Sequence, residues 1–252
     1  MNSIAIITGA TSGFGEATAI RFAKEGWNLI LTGRRTDRLE TLQKSLQTAN
    51  NQIKILSFDV RDQAAVIAAF ESLSSDVTKN ITVLINNAGL AVGRGPIDTG
   101  VTDDWESMID TNVKGLLYVS KAVIPFLKSN GGGQIVNLAS IAGKEVYAGG
   151  NVYCATKHAV DALSRSMRID LVDYGIKVSN IAPGAAETEF SLVRFKGDEQ
   201  TAKSVYDGFQ PLLAEDIADA IYYVCSRPAH VTINDMVVMA TAQASAVVFH
   251  KK

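Results

Sequence analysis

The sequence predicts an α/β fold, a doubly wound sheet in a single domain, and three observations carry that expectation. Seven short apolar runs alternate with longer amphipathic stretches along most of the 252 residues. The runs are continuously apolar, which suits parallel strands covered on both faces. No Pro/Ser-rich linker and no internal repeat breaks the alternation, so one sheet with helices on both sides accounts for the chain. With 47% hydrophobic residues there is enough apolar side chain for a substantial core.

In order, the strands are expected at "SIAIIT" (3–8), "NLILTG" (28–33), "IKILSF" (53–58), "ITVLIN" (81–86), "GQIVNLA" (133–139), "IKVSNIA" (176–182) and "DMVVMA" (235–240). Helical periodicity falls between them, near 14–25, 36–48, 62–76, 103–128, 152–173 and 213–226. Thr36 and Asp62 stand where N-capping residues belong. The one long stretch without clear periodicity, about 184–210, is expected to be an irregular loop serving as a lid over a substrate.

Composition excludes several classes. With 24 basic and 26 acidic residues and no basic tract, there is no signature of nucleic acid or of a membrane surface as partner. The first apolar run is too short for a signal peptide or a membrane span, and a turn follows at once. Cys154 and Cys225 lie far apart without metal-ligand companions, and His158, His230 and His250 are scattered, so no metal site is expected. Reduced thiols in a cytoplasmic protein are the reading that follows.

A nucleotide site is expected at the strand ends. "TGATSGFG" (8–15) turns the first strand into the first helix, with Gly9, Gly13 and Gly15 around Thr11, Ser12 and Phe14. Its G-x-x-x-G-x-G spacing differs from G-x-G-x-x-G, yet missing side chains serve the same end: backbone can approach a pyrophosphate at a helix N-terminus. After the second strand, Arg34 and Arg35 stand where many NAD enzymes carry an acid. Two cations beside a helix start oppose its dipole, and a ribose 2′-phosphate gives them a reason, so NADP(H) is favoured over NAD. Asp59 and Val60 follow the third strand, where Asp59 can take the adenine amino group. Asn87, Ala88 and Gly89 follow the fourth, small enough for backbone to approach the adenine ribose.

"YCATK" (153–157) sets Tyr153 and Lys157 one helical turn apart, on one face. A phenol beside an ammonium can act as an acid/base pair, since the positive charge favours phenolate. The same spacing also arises in ordinary amphipathic helices.

Together, "TGATSGFG", "NNAG", "DTNVKG", "NLASIAG", "YCATK" and "PGAAET" (183–188) make the chain resemble the short-chain dehydrogenase/reductase family over nearly its whole length. The resemblance implies a Rossmann-type domain with a seven-stranded parallel sheet and a tetrad of Asn112, Ser140, Tyr153 and Lys157. In that scheme Tyr153 exchanges a proton with the substrate oxygen, Ser140 bonds the developing alkoxide, and Lys157 lowers the phenol pKa and holds the nicotinamide ribose. Asn112 interrupts its helix and holds a water linking Lys157 to solvent. Pro183, Gly184 and Thr188 close over the nicotinamide, Thr188 on its carboxamide. The family also implies a homotetramer, paired through the helices at 103–128 and 152–173, whose Leu116, Leu117, Val119, Ala159, Val160 and Leu163 cannot all face one sheet.

"ATSGFGEATA", "TGRR", "YAGGNVY", "TEFSLVRFKGD" and "PAHVTIN" further resemble the NADP-dependent 3-hydroxy acid dehydrogenases, which act on serine, allo-threonine and semialdehydes. Ala185 and Ala186 depart from the bulkier pair usual there, implying a roomier pocket. A carboxylate substrate calls for a cation: Arg194 is the first choice, Lys144 and Arg94 the others. Reduction of diketones, sulfoacetaldehyde or larger ketones is the alternative activity, and a non-catalytic NADP sensor the remote one.

Overall fold

The computed structural model describes residues 3–252. All seven expected strands form: β1 (Ile4–Thr8), β2 (Asn28–Gly33), β3 (Ile53–Ser57), β4 (Ile81–Asn86), β5 (Gly133–Leu138), β6 (Ile176–Pro183) and β7 (Asp235–Val238). They make one parallel sheet in the order β3-β2-β1-β4-β5-β6-β7. The chain moves outward from β1 to β3, then returns to β1's other side with β4. That reversal opens a crevice beyond the carboxyl ends of β1 and β4, where such sheets bind ligands.

Ten helices flank the sheet among the described residues: α1 (Gly13–Lys24), α2 (Thr36–Leu46), α3 (Gln63–Glu71), α4 (Ser75–Thr78), α5 (Thr102–Ile109), α6 (Leu116–Ser129), α7 (Asn151–Leu171), α8 (Glu189–Arg194), α9 (Glu199–Ser204) and α10 (Ala214–Cys225). Strand side chains alternate between two cores. Ile6, Ile30 and Leu84 pack with Val66, Val119 and Val160 on one face. Ile7, Leu29, Leu31 and Ile85 pack with Phe22, Leu39 and Ile221 on the other. Phe22 is wholly buried and meets Trp27 and Tyr222 edge-on, both with ring centroids 5.3 Å away, which locks α1 to α10.

Buried polar groups tie the centre of the sheet to α6 and α7. Asn86 Nδ2 donates to Ser120 Oγ and to Asn137 Oδ1, and Asn137 Nδ2 donates to Ser164 Oγ, each at 2.9 Å. Each such group would be costly if left unpaired in this apolar setting.

Three expectations need correction. The irregular stretch at 184–210 contains α8 and α9, capped by Thr188 and Asp198, whose side chains accept from Phe190 N and Thr201 N. These turns are too short to show a periodicity. The helix expected at 62–76 stops at Glu71 and resumes as α4. Asp62 caps α3 as expected, accepting from Ala65 N at 3.0 Å. Thr36 does not cap α2: it is the first helical residue, and its hydroxyl lies 2.7 Å from that of Ser57. The break expected at Asn112 in the helix at 103–128 is present as a wide π turn, Asp110–Gly115, between α5 and α6.

Candidate active site

Three strand ends build the nucleotide side of the crevice. A cleft of about 300 Å³ lies over the β1–α1 turn and takes in Gly9, Thr11, Ser12, Gly13 and Phe14. Arg34, Arg35, Asp59 and Val60 close one end; Asn87, Ala88 and Gly89 form the floor. Gly9 and Gly13 have φ of 66° and 54°, a conformation that favours glycine. Gly15 lies beneath the turn and not in the cleft; a Cβ there would meet the Gly9 carbonyl and Asn87 Nδ2. Packing alone thus requires a glycine at this position. Asn87 Nδ2 also donates to Thr8 O at 2.8 Å, binding β4 to β1.

The arginines divide. Arg34 is exposed, 3.7 Å from Asp59. Arg35 folds over the glycine turn, donating to Thr11 Oγ1 at 2.8 Å and Ser12 Oγ at 2.9 Å, and pairs with Glu189 at 3.2 Å. Arg38, unmarked in the sequence reading, pairs with the same Glu189 at 2.8 Å. Asp59 is held by Arg61, whose side chain donates at 2.6 Å and whose backbone N donates at 3.0 Å. Burial pushes its carboxyl up, but those bonds outweigh it and keep the pKa below the usual value.

At the far end of the cleft lie Tyr153 and Lys157, on the buried face of α7. Lys157 Nζ donates to Leu138 O at 2.7 Å and stands 5.9 Å from the Tyr153 ring centre. Burial lowers its pKa to about 8. Burial also pushes the Tyr153 phenol well above its ordinary value, against a lowering influence from the Ser140 hydroxyl. The expectation that Lys157 lowers the phenol pKa is thus corrected for the protein alone: desolvation dominates.

Asn112 sits in the π turn, almost wholly buried. Its Oδ1 accepts from Leu90 N at 2.8 Å, while Nδ2 donates to Leu90 O at 2.8 Å and to Thr156 Oγ1 at 3.0 Å. The expected helix break is therefore real, and the side chain fixes the loop after β4 to α7. Thr156, the residue before Lys157, escaped the sequence reading.

A second cavity, about 530 Å³, adjoins the first. Ser140, Pro183, Gly184, Ala185 and Ala186 line it, so Pro183 and Gly184 lie beside the nucleotide cleft instead of within it. Phe14, Ala139, Tyr153, Thr188 and Phe190 border both spaces. Phe190, also unforeseen, packs on Tyr153 with ring centroids 5.6 Å apart. Arg194 enters from α8, its guanidinium 5.6 Å from the Tyr153 ring centre and donating to Tyr147 Oη at 3.1 Å. Its buried Nε has no partner. Arg94 lies on the same wall. Lys144 does not: its ammonium is held by Asp161 at 2.6 Å and Asp235 at 2.8 Å, outside the cavity. That ion cluster overturns Lys144 as a substrate ligand. The C-terminal Gln243 accepts from Ala185 N at 2.7 Å, and Val247, Phe249 and Lys251 close the cavity, a contribution without a motif to announce it.

Two adjoining spaces that share a buried phenol define a nucleotide-dependent oxidoreductase of the doubly wound type. The chain belongs to the short chain dehydrogenase family, whose model matches residues 3–198. Among its relatives is sulfoacetaldehyde reductase 2 of Chromohalobacter salexigens, 46% identical over 245 residues, covering 97% of this chain and 96% of that protein. Serine 3-dehydrogenase of Agrobacterium fabrum is 44% identical over 246 residues, covering 98% and 97%. A solved structure described as the closed form of serine dehydrogenase complexed with NADP+ superposes with a TM-score of 0.92 at 43% identity, covering 99% of both chains. Among the described residues no helix is long and apolar enough to cross a membrane.

Proposed function

We propose that this protein is an NADP(H)-dependent oxidoreductase that interconverts a short 3-hydroxy acid and its carbonyl or semialdehyde. One observation carries the substrate class: Arg194 presents a buried, unpartnered Nε beside the cavity that holds Tyr153 and Ser140. An unsatisfied guanidinium nitrogen there is best met by an anionic oxygen, and arginine binds carboxylate through two nitrogens.

The cleft fits the cofactor. The glycine turn lets backbone come close to a pyrophosphate, and the arginines at its end suit a 2′-phosphate. Gly9, Thr11, Ser12 and Gly13 would hold the pyrophosphate, Arg34 and Arg35 the 2′-phosphate, and Asn87, Ala88 and Gly89 the adenosine side. When bound, the nicotinamide supplies or accepts the hydride. Tyr153, kept protonated by burial, gives its phenolic proton to the substrate oxygen in reduction and takes it back in oxidation. Ser140 bonds the same oxygen as charge develops. Lys157 would hold the ribose hydroxyls of the bound cofactor and, when charged, would favour the phenolate. Phe190 packs against the Tyr153 ring at the junction.

A sulfonate in place of the carboxylate is the second reading. The small pair Ala185 and Ala186 and the 530 Å³ cavity leave room for a tetrahedral anion, and a sulfoacetaldehyde reductase is among the relatives. A steady-state screen tests both, with NADPH and NADH against malonic semialdehyde, sulfoacetaldehyde and neutral aldehydes, and with NADP and NAD against serine and 3-hydroxypropionate. The proposal expects the highest kcat/KM on a carboxylate substrate with the phosphorylated cofactor. Neutral substrates ahead of every anionic one would contradict it.

A further inference from the structure

The ion pairs of Glu189 make no contribution to the chemistry described so far, yet they join two parts of the site. Glu189 is the first residue of α8, on the lid, and its carboxylate lies between two arginines of the β2–α2 segment. Oε2 is 3.2 Å from Arg35 NH1 and Oε1 is 2.8 Å from Arg38 NH1. Arg35 is at the same time drawn onto Thr11 and Ser12 of the glycine turn. Burial raises the Glu189 pKa, but the bonds from Arg38 and Arg35 more than offset this, so the group is anionic at neutral pH. An internal carboxylate thus lies on Arg35, one of the two cations that suit an external phosphate, and on nearby Arg38. The contact spans 154 residues to Arg35 and 151 to Arg38, so helix geometry does not produce it.

We infer that Glu189 is a specificity-determining residue that competes with the cofactor's 2′-phosphate for Arg35, while Arg38 holds the carboxylate's other oxygen. Before the phosphate arrives, the carboxylate latches the first turn of the lid onto the phosphate subsite. A dianionic phosphate on Arg34 and Arg35 repels and displaces it, which releases α8, the helix that carries Phe190 and Arg194. An unphosphorylated dinucleotide leaves the latch closed. Phosphate recognition and lid position are thereby linked, and the linkage is reciprocal. The inference rests on the NADP(H) reading above.

The test uses adenosine 2′,5′-bisphosphate and adenosine 5′-monophosphate, which carry the relevant end of the cofactor and lack the nicotinamide. Their dissociation constants are measured calorimetrically on the wild type, Glu189→Gln and Glu189→Asp. Glu189 is half exposed, so the isosteric glutamine is expected to fold, and a thermal melt confirms it. Two exposed ion pairs make a modest competitor. Glu189→Gln should therefore tighten the bisphosphate by about three- to tenfold and leave the monophosphate within twofold, with Glu189→Asp falling between. As a second readout, the bisphosphate should speed tryptic cleavage after Lys196 or Lys203 in the wild-type lid, and Glu189→Gln should be cut rapidly without it. Unchanged or weaker bisphosphate binding by both variants, with the wild type still preferring the bisphosphate, overturns the competition alone. Equal wild-type affinity for the two nucleotides overturns the phosphate site itself, and the inference with it.

Discussion

Tyr153 and Lys157 differ from their neighbours on α7 in what burial does to them. A buried phenol keeps its proton and a buried ammonium gives its own up more readily, and both shifts are present here. Tyr153→Phe should lower turnover by about a hundredfold or more while NADPH binding, followed by fluorescence titration, persists. Retention of a third of the wild-type rate would place the proton transfer on another group. The pH dependence has a definite sign. Reduction needs the protonated phenol, which a raised pKa preserves, so its kcat/KM should stay flat from pH 6 to about 8. Oxidation needs the phenolate, whose fraction grows with pH below the phenol's pKa. That growth should continue until Lys157 loses its charge, near pH 8, and then level off. A reduction rate that climbs with pH over this range contradicts the assignment. At this scale the sequence was informative where placement rests on local geometry, as with the positive φ of Gly9 and Gly13 and the shared face of Tyr153 and Lys157. It was silent where a partner lies far along the chain. Asp235, which removes Lys144 from candidacy, is 91 residues away, and nothing near Arg38 announces Glu189.

Elements were legible according to how much periodicity they had room to show. All seven strands were readable as continuous apolar runs, because both faces of a parallel sheet are covered. The six-residue helices α8 and α9 span under two turns, too few for an apolar stripe to repeat. The π turn at Asp110–Gly115 was expected only because Asn112 marked it; hydropathy runs through it unbroken. Phe22 packs α1 against Tyr222 of α10, beside the Arg21–Asp219 pair. Phe22→Ala should therefore cost about 3–5 kcal/mol, read from urea unfolding, by removing a wholly buried ring that two aromatic partners enclose. A loss below 1 kcal/mol would show that α1 and α10 close over the gap.

For the whole molecule we propose a homotetramer, on narrower grounds than the sequence suggested. Leu116, Val119 and Val160 turn inward and belong to the core, and Ala159 and Leu163 are half-buried. What remains outward is Leu117, with Ile169 and Val172 at the end of α7, 76% and 66% exposed. Apolar side chains grouped on outer helices are better explained by a partner copy than by solvent. Light scattering at micromolar concentration should give about four times the 26.9 kDa chain mass, and a monomer would remove the argument. The nucleotide cleft does not determine the substrate's charge, and Arg194 is the residue proposed to read it. The most direct test is kcat/KM of wild type and Arg194→Ala on malonic semialdehyde and on a neutral aldehyde of similar size. Loss of a charge-assisted pair should lower the value on the acid by about ten- to a hundredfold, chiefly through KM, and change the neutral aldehyde by less than threefold. Equal losses on both substrates would contradict the account, and would mean that Arg194 orders the lid through Tyr147 without reading the substrate's charge.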